Sequence, residues 1–234
     1  MYGGIVIPFT QYLKNYHGLP SPFLIVGSAS TLREDILRIK NYIHSVQPII
    51  IGINQVTRFI IPHYHLWTNK ERFQNLGGCI HPLSMLLCGI GLSDDLIKTH
   101  YKGEYLQVEY QKFAAPSDPI YHIDGQIYGF YRIAGCLAIM IAHILNASTI
   151  HVVGFDGYTR YKPEEYKPGL QQKNQHCYGA GHTDDYSWKD SIKKDDEIYK
   201  CLLKIKDSGI DFQIITESIY DDVYDHTILE NYDV

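Results

Sequence analysis

The stretch PFLIVGSASTLRE, residues 22–34, decides the fold class. An apolar run comes first, and polar, helix-favouring residues follow at once, with Thr31 and Glu34 at the spacing of a capping box. Apolar residues then recur at helical spacing as far as Val46, and a second continuous apolar run occupies Ile49–Ile53. Because neither run alternates apolar with polar residues, both are predicted to be buried parallel strands joined by a helix.

Three more pairs of a strand and a helix extend this pattern. Residues 65–68 have the composition of a third short strand and lead into a helix that begins near Asn69. Farther along, a strongly apolar helix is predicted over residues 132–145, ahead of a strand at 149–153. A further helix, which opens on a predicted capping box at Ser187-Trp-Lys-Asp190, precedes the last strand. The chain is therefore predicted to have an α/β, Rossmann-like three-layer fold with a mostly parallel sheet.

The predicted elements fit one domain, because 234 residues can form a single hydrophobic core of ordinary size. Residues 1–21 are expected to be an N-terminal extension, and residues 22–234 the domain itself. Within the domain, the polar stretch at about 157–186 is rich in Tyr, Lys, Gly and His. It is longer than an ordinary connection, so it is predicted to be a mobile lid loop.

Composition argues against several classes of protein. A formal net charge of −5 and the lack of any block of Lys or Arg disfavour a nucleic-acid partner. No apolar run approaches the roughly 20 residues of a membrane span, although peripheral association with a membrane stays open. The five cysteines are scattered, and the opening residues lack the basic flank and cleavage site of a secretory signal. A cytoplasmic location is therefore expected.

The turn after the first predicted strand is a candidate binding site. Residues 27–31 lie where a strand meets the amino end of a helix, and the free N–H groups there attract phosphate. Asn54 and Asn69 each follow a predicted strand, at the edge where open α/β sheets bind ligands. Ordinary helix capping and ordinary turn formation would explain the same residues, so the pattern alone leaves both interpretations open.

Six short motifs occur in order along the chain. They are Gly27-Ser-Ala-Ser-Thr31, Gly52-Ile-Asn54-Gln55, Thr68-Asn69, Arg132-Ile-Ala-Gly135, Gly154-Phe-Asp-Gly-Tyr158 and Tyr178-Gly-Ala-Gly-His182. Together they resemble the small bacterial sialyltransferases that use CMP-sialic acid to extend lipooligosaccharides, and related glycosyltransferase-like proteins of surface-sugar loci. The resemblance runs from about residue 22 to residue 217. It implies that residues 22–234 are a nucleotide-sugar-binding domain.

The resemblance also implies roles for individual residues. The residues implied to bind the nucleotide are Gly27, Ser28, Ser30, Thr31, Asn54, Asn69, Arg132, Ala134, Gly135, Asp156 and Tyr178. Tyr158 and Tyr161 would donate hydrogen bonds to the departing phosphate, and His182 would act as the general base on the acceptor hydroxyl. The family's Tyr-x-x-His and Arg-Ile-Thr-Ser-Gly elements each differ by one residue from the motifs at 178–182 and 132–135.

The implied reaction moves an acidic sugar, sialic acid or a related ulosonic acid, from a CMP-sugar donor to a bacterial surface-glycan acceptor. A CMP-linked sugar already carries a good leaving group, so no cofactor is required, although Mg²⁺ stays compatible with the site. No metal site is expected, because adjacent pairs such as Asp184-Asp185 point in different directions. A homo-oligomer, and a place at the inner face of the bacterial membrane, are compatible with this function.

Two other functions share the same motifs. One is a nucleotide-sugar-binding accessory domain that has the crevice without the chemistry. The other is an ATP-dependent enzyme like the archaeal pterin pyrophosphokinases, since the segment Gly154-Phe-Asp-Gly157 suits that group as well. A requirement for ATP and Mg²⁺ would distinguish the second from a CMP-sugar enzyme.

Overall fold

The computed structural model describes residues 5–115, 118–160, 177 and 187–233. In these ranges the strands are β1 (Val6–Pro8), β2 (Ser21–Val26), β3 (Ile49–Ile53), β4 (Tyr64–Trp67), β5 (Met85–Gly89), β6 (Tyr105–Val108), β7 (Tyr110–Lys112), β8 (Tyr121–Ile123), β9 (Gln126–Gly129), β10 (Ala147–Val153) and β11 (Gln213–Ile214). The helices are α1 (Phe9–Lys14), α2 (Thr31–Glu34), α3 (Ile36–Val46), α4 (Lys70–Leu76), α5 (Asp94–His100), α6 (Ala134–Ile144), α7 (Trp188–Asp207) and α8 (Thr227–Glu230).

Eight strands form one sheet in the order β1-β6-β5-β4-β3-β2-β10-β11, and every neighbouring pair in it is parallel. Helices flank this sheet, so the predicted α/β, Rossmann-like fold is confirmed. From β2 the chain proceeds strand by strand to β6, and it later places β10 on the other side of β2. The strand order therefore reverses between β2 and β10, the position at which open α/β sheets bind ligands.

Segments outside the predicted units also form strands, and β5 and β6 are among them. In the segment predicted to be an N-terminal extension, β1 pairs with β6 as an edge strand of the main sheet, and Phe9 is fully buried. Strands β7, β9 and β8 form a separate small sheet. Its antiparallel β8–β9 hairpin turns at Asp124 and Gly125, where the φ angles are 49° and 88°.

Side chains of the central strands alternate between two apolar layers. Phe23 and Ile25 of β2 pack in a cluster that includes α6 and α7, whereas Leu24 and Val26 pack on the other face with Ile39 of α3. A third cluster joins β4, β5 and the helices α4 and α5. Burial on both faces is the reason why these strands are apolar throughout.

Helix α6 is apolar on nearly all sides because it lies inside the protein. Its residues 135–142 are all buried, and they belong to the cluster formed with the sheet and α7. The helix has 11 residues. Among the described residues, no helix is long and apolar enough to cross a membrane.

One of the two predicted capping boxes is present. At the start of α7, Ser187 and Asp190 form reciprocal hydrogen bonds, as predicted. The capping box predicted at Thr31 is wrong: Ser30 is the N-cap residue, its side chain makes no capping hydrogen bond, and Thr31 is already helical. The Thr31 hydroxyl donates instead to Asp156, a buried carboxylate that lies beside the turn.

Glycine is required where β2 and β10 end. A Cβ on Gly27 would strike the carbonyl oxygen of Gly154 and the ring of Phe155, and a Cβ on Gly154 would strike the carbonyl oxygen of Gly27. Gly135, at the start of α6, is covered by the same Phe155 ring, which leaves no space for a side chain. A side chain at any of these three positions would therefore clash with its neighbours.

We expect Gly27→Ala to destabilise the protein by about 1–3 kcal/mol, because the added methyl group forces backbone atoms apart. Gly91→Ala is the matched control, since a Cβ there meets no atom within 4 Å. The free energies of unfolding of both variants are to be measured in urea. Equal values for the two variants would contradict the proposed close approach.

Candidate functional site

A cavity of about 250 Å³ lies at the carboxyl ends of the central strands. The segments that follow β2, β3, β4 and β10 each contribute residues to its lining, as do the start of α6 and one face of α7. The cavity therefore occupies the position where the strand order reverses. Sites at this position are typical of nucleotide-binding α/β proteins.

The turn after β2 forms one wall of the cavity. Gly27, Ser28 and Ala29 line it. The N–H groups of Gly27 and Ala29 donate to the carbonyl oxygens of Val153 and Gly154, at 2.8 and 3.2 Å. Two of the N–H groups that were predicted to bind a phosphate therefore form hydrogen bonds between the ends of β2 and β10 instead.

Ser30 and Thr31, which the sequence placed among the nucleotide contacts, lie outside the lining of the cavity. Both are fully buried, and their side chains donate to the carboxylate of Asp156. The Thr31 N–H also donates to this carboxylate, at 3.0 Å. Both residues hold Asp156 in place, and Asp156 itself lines the cavity.

Asp156 is 2% exposed, and Arg160 lies beside it at 3.4 Å. Burial raises the pKa of the Asp156 carboxyl to about 6, although the hydrogen bonds from Thr31 and the charge of Arg160 act in the opposite direction. At neutral pH the carboxylate is mostly ionised, and its charge is balanced by these donors.

Asn54 and Asn69 follow the neighbouring parallel strands β3 and β4, and both line the cavity next to the turn after β2. Their predicted position at adjacent strand ends is confirmed, whereas contact with a nucleotide stays a prediction. Asn54 has a positive φ of 56°, and its carbonyl oxygen accepts a hydrogen bond from Nε2 of His65. The side-chain oxygen of Asn69 accepts from the N–H of Arg72 at 2.9 Å, so Asn69 also caps α4.

His65 holds the backbone of Asn54 in place through this hydrogen bond. It is fully buried, and burial lowers the pKa of its imidazole to about 4, so the ring is neutral. A carbonyl oxygen only accepts hydrogen bonds, and the proton of the neutral ring is therefore on Nε2.

The amino end of α6 forms the opposite wall. Arg132, Ala134 and Gly135 line the cavity there. The resemblance implies that the same three residues bind the nucleotide, and this contact stays a prediction. The N-cap residue is Ile133, whose apolar side chain cannot satisfy the first N–H groups of the helix. Arg132 forms an ion pair with Glu197 of α7, at 2.6 Å between Nε and Oε2. This end of the cavity is positively polarised and favours an anionic ligand.

Helix α7 supplies site residues that sequence reasoning missed. Lys194 lines the cavity, with its Nζ 3.9 Å from the centroid of the Tyr158 ring. Asp195, the next residue, is 6% exposed and accepts from the N–H groups of Tyr158 and Thr159, and from the Tyr220 hydroxyl, at 2.7–2.9 Å. This carboxylate joins three segments that surround the cavity.

A signal for these residues is present in the sequence. Lys194 and Asp195 lie one turn before Ile198 in the buried stripe that continues through Cys201, Leu202 and Ile205. Because they belong to the charged run KKDDE, residues 193–197, they resemble a solvated helix face. Arg72 and Tyr220, which also line the cavity, have no comparable signal.

Tyr158 lines the cavity, whereas other predicted site residues lie outside the described part of the chain. These residues are Tyr161, Tyr178 and His182. Most of the predicted lid, residues 161–176 and 178–186, also lies outside the described part. Within the described ranges, no group of three or more His, Cys, Asp or Glu side chains is arranged to hold a metal ion.

No protein-family model matches the chain, and a search of the curated proteins finds no significant match.

The raised pKa of Asp156 leads to a prediction on stability. The pKa of this carboxyl is about 6 in the folded protein, against the ordinary 3.8. At pH values between 3.8 and about 6, the Asp156 carboxyl is protonated in the folded state and ionised in the unfolded chain. Its contribution to the free energy of unfolding is therefore present at low pH and disappears as the pH rises through about 6. Over about pH 4 to 7, the unfolding free energy of wild type should decrease by roughly 2 kcal/mol more than that of Asp156→Asn.

This comparison uses the change with pH and not the absolute stability, since Asp156→Asn also alters hydrogen bonds to Ser30 and Thr31. Denaturant unfolding at a series of pH values provides the measurement. Parallel curves for wild type and the variant would show that the Asp156 carboxyl has an ordinary pKa.

Proposed function

We propose that the chain is a glycosyltransferase that binds a CMP-linked acidic sugar in the cavity and transfers the sugar to a glycan hydroxyl. The observation that carries the proposal is the meeting of distant motifs. Five of the six motifs named from the sequence contribute lining residues to one cavity, although they span residues 27–158 of the chain.

The polarity of the cavity agrees with a nucleotide phosphate. Arg72, Arg132 and Lys194 contribute positive charge to its lining, and the amino end of α6 adds a partial positive charge. Among the described residues that line the cavity, the one carboxylate is Asp156, and it already accepts hydrogen bonds from Ser30 and Thr31. Anionic oxygen atoms of a ligand would thus meet cationic and N–H groups.

In the proposed reaction, the acceptor oxygen forms a bond to the anomeric carbon while the bond from that carbon to the phosphate oxygen breaks. The electron pair of the broken bond leaves with CMP, and the hydroxyl proton passes to His182. Tyr158 would stabilise the negative charge that develops on the phosphate, and Tyr161 would assist it. Asp195 would hold Tyr158 for this task, since it accepts the Tyr158 N–H at 2.9 Å.

A thermal-shift panel tests the nucleotide specificity. We expect CMP to stabilise the protein more than CDP, UDP, GDP or ATP does, and to do so without Mg²⁺. At 100 times its Kd, CMP should raise the free energy of unfolding by about 2.7 kcal/mol over that of the unliganded protein. Stabilisation by ATP that depends on Mg²⁺ would instead support the pyrophosphokinase alternative. Stabilisation by CMP without any transfer of the sugar would support the accessory domain.

Two variants test the assignment of chemistry. His182→Ala should lower the rate of sugar transfer by about 10²- to 10⁴-fold and leave CMP affinity unchanged, because a general base contacts the acceptor. Tyr158→Phe should lower the rate by roughly 10- to 10³-fold and keep the pH dependence of wild type, because it removes a donor to the phosphate. Rates are to be measured with CMP-sialic acid and an oligosaccharide acceptor.

Near-wild-type transfer by His182→Ala would exclude His182 as the base. If His176→Ala then abolished transfer, the lid motif would be aligned incorrectly by its additional residue. If neither histidine mattered, general base catalysis from this segment would be ruled out.

A further inference from the structure

The small sheet formed by β7, β9 and β8 has two faces of different character. In its register, Ile127 of β9 lies beside Tyr110 of β7 and His122 of β8. Ile127 is fully buried in the main core, and the His122 ring contacts that of His143 in α6, with 5.9 Å between their centroids. This face packs against the domain, so the side chains at the alternate positions point outward.

The outward face carries six uncharged side chains, three of which are aromatic. The six are Gln111, Phe113, Tyr121, Ile123, Gln126 and Tyr128. Tyr121 and Tyr128 are stacked across β8 and β9, with 5.1 Å between centroids and 11° between ring planes. The Phe113 ring lies 6.3 and 6.4 Å from these two rings. We call this surface the aromatic face.

The aromatic face is open to solvent. Tyr121 is 39% exposed and Ile123 is 56% exposed. Stacking across two strands stabilises a hairpin, and this accounts for the pair of Tyr121 and Tyr128. It does not account for a third ring and an exposed Ile on the same face. Contiguous exposed apolar groups of this kind are typical of a binding surface.

The composition of the aromatic face fits a sugar. A pyranose ring has an apolar face of C–H groups, which packs on an aromatic ring, and a rim of hydroxyl groups. The amides of Gln111 and Gln126 can both donate to and accept from such hydroxyls. The six side chains carry no charge, so they offer no ion pair to a charged ligand. A protein partner fits less well, because a stable interface takes about 20–30 residues on each side.

The aromatic face lies close to the candidate site. Strand β9 ends at Gly129, whose carbonyl oxygen accepts from the N–H of Phe113 at 2.8 Å. Arg132 in the cavity wall follows after at most about 10 Å of extended chain. At the start of β7, a Cβ placed on Gly89 would meet both the Tyr110 hydroxyl and the Cα of Thr68, another residue of the cavity lining. A glycan with one end in the cavity could therefore extend onto this face.

We propose that the aromatic face binds uncharged sugar rings of the glycan acceptor, with the Tyr121 ring as the main stacking surface. The inference deepens the proposed function, and the choice of a glycan acceptor rests on that function. It places the sugars that precede the accepting hydroxyl outside the cavity. The cavity then holds the CMP-linked donor and the accepting end of the glycan.

Amide chemical shifts of the ¹⁵N-labelled protein test this inference without a transfer reaction. The probes are three uncharged sugars, namely lactose, N-acetyllactosamine and maltotriose, and free sialic acid is the charged control. We expect at least one of the three to shift the amides of Tyr121, His122 and Tyr128, and sialic acid to leave them unchanged. Tyr121→Ser should weaken this binding by about 3- to 10-fold, because it removes one aromatic ring.

Two further variants separate stacking from other effects. Tyr121→Phe keeps the ring and should bind the sugar within about twofold of wild type. Ile192→Ser is the matched control, because Ile192 is a 51% exposed apolar residue on α7, and it should leave binding unchanged. In the transfer assay, Tyr121→Ser should raise the KM for the acceptor by about 3- to 10-fold and leave kcat and CMP affinity unchanged.

The inference is overturned if none of the three sugars shifts these amides, or if Tyr121→Ser binds as tightly as wild type. It is also overturned if the sugars have no effect and Tyr121→Ser instead abolishes self-association measured by sedimentation. Transfer by Tyr121→Ser with the wild-type KM would overturn it and leave the proposed function intact. If the sugars shift the small sheet while CMP leaves the cavity amides unchanged, the proposed function is wrong and the aromatic face is still a sugar-binding site.

Discussion

The close approach of β2 and β10 at Gly27 and Gly154 is the constraint on which the site depends. The N–H of Gly27 donates to the carbonyl of Val153 at 2.8 Å, and each glycine occupies a position where a Cβ would strike the other's carbonyl oxygen. The ring of Phe155 then lies over Gly135, so the start of α6 is fixed against the end of β10. The cavity forms where these segments separate from one another.

Two buried carboxylates organise the walls of this cavity. Asp156 accepts hydrogen bonds from Ser30 and Thr31, which joins the end of β10 to α2. Asp195 accepts from Tyr158 and Tyr220, which joins the same segment to α7. Buried carboxylates require donors, and each here obtains them from segments far apart in the sequence. Their negative charge is thereby engaged within the protein, while Lys194 and the amino end of α6 face the cavity.

The fold was predictable from the sequence because its signals are local. The run Ile49–Ile53 was identified as a strand with its observed bounds, and its lack of alternation correctly indicated a parallel strand buried on both faces. The carboxyl-edge positions of Asn54 and Asn69 followed from the same rule.

What the sequence did not reveal depends on tertiary contacts. Thr31 has the spacing of a capping residue, yet its hydroxyl donates to Asp156, which is 125 positions away. Lys194 and Asp195 resemble surface charges, and their burial results from the packing of α7 against the segment after β10. Strand β1 is too short to show a pattern of apolar residues that would identify it as a strand. Its pairing with β6 joins residues about 100 positions apart.

The proposed nucleotide site lies at the switch point between β2 and β10. It can be tested by following the amide chemical shifts of the ¹⁵N-labelled protein during titration with CMP. We expect the largest changes at Ser28, Gly135 and Gly157, which line the cavity, and no change at the amides of Tyr64 and Met85, at the amino ends of β4 and β5. Changes confined to the amino ends of the strands, or no change at all at saturating CMP, would show that the nucleotide does not bind in this cavity.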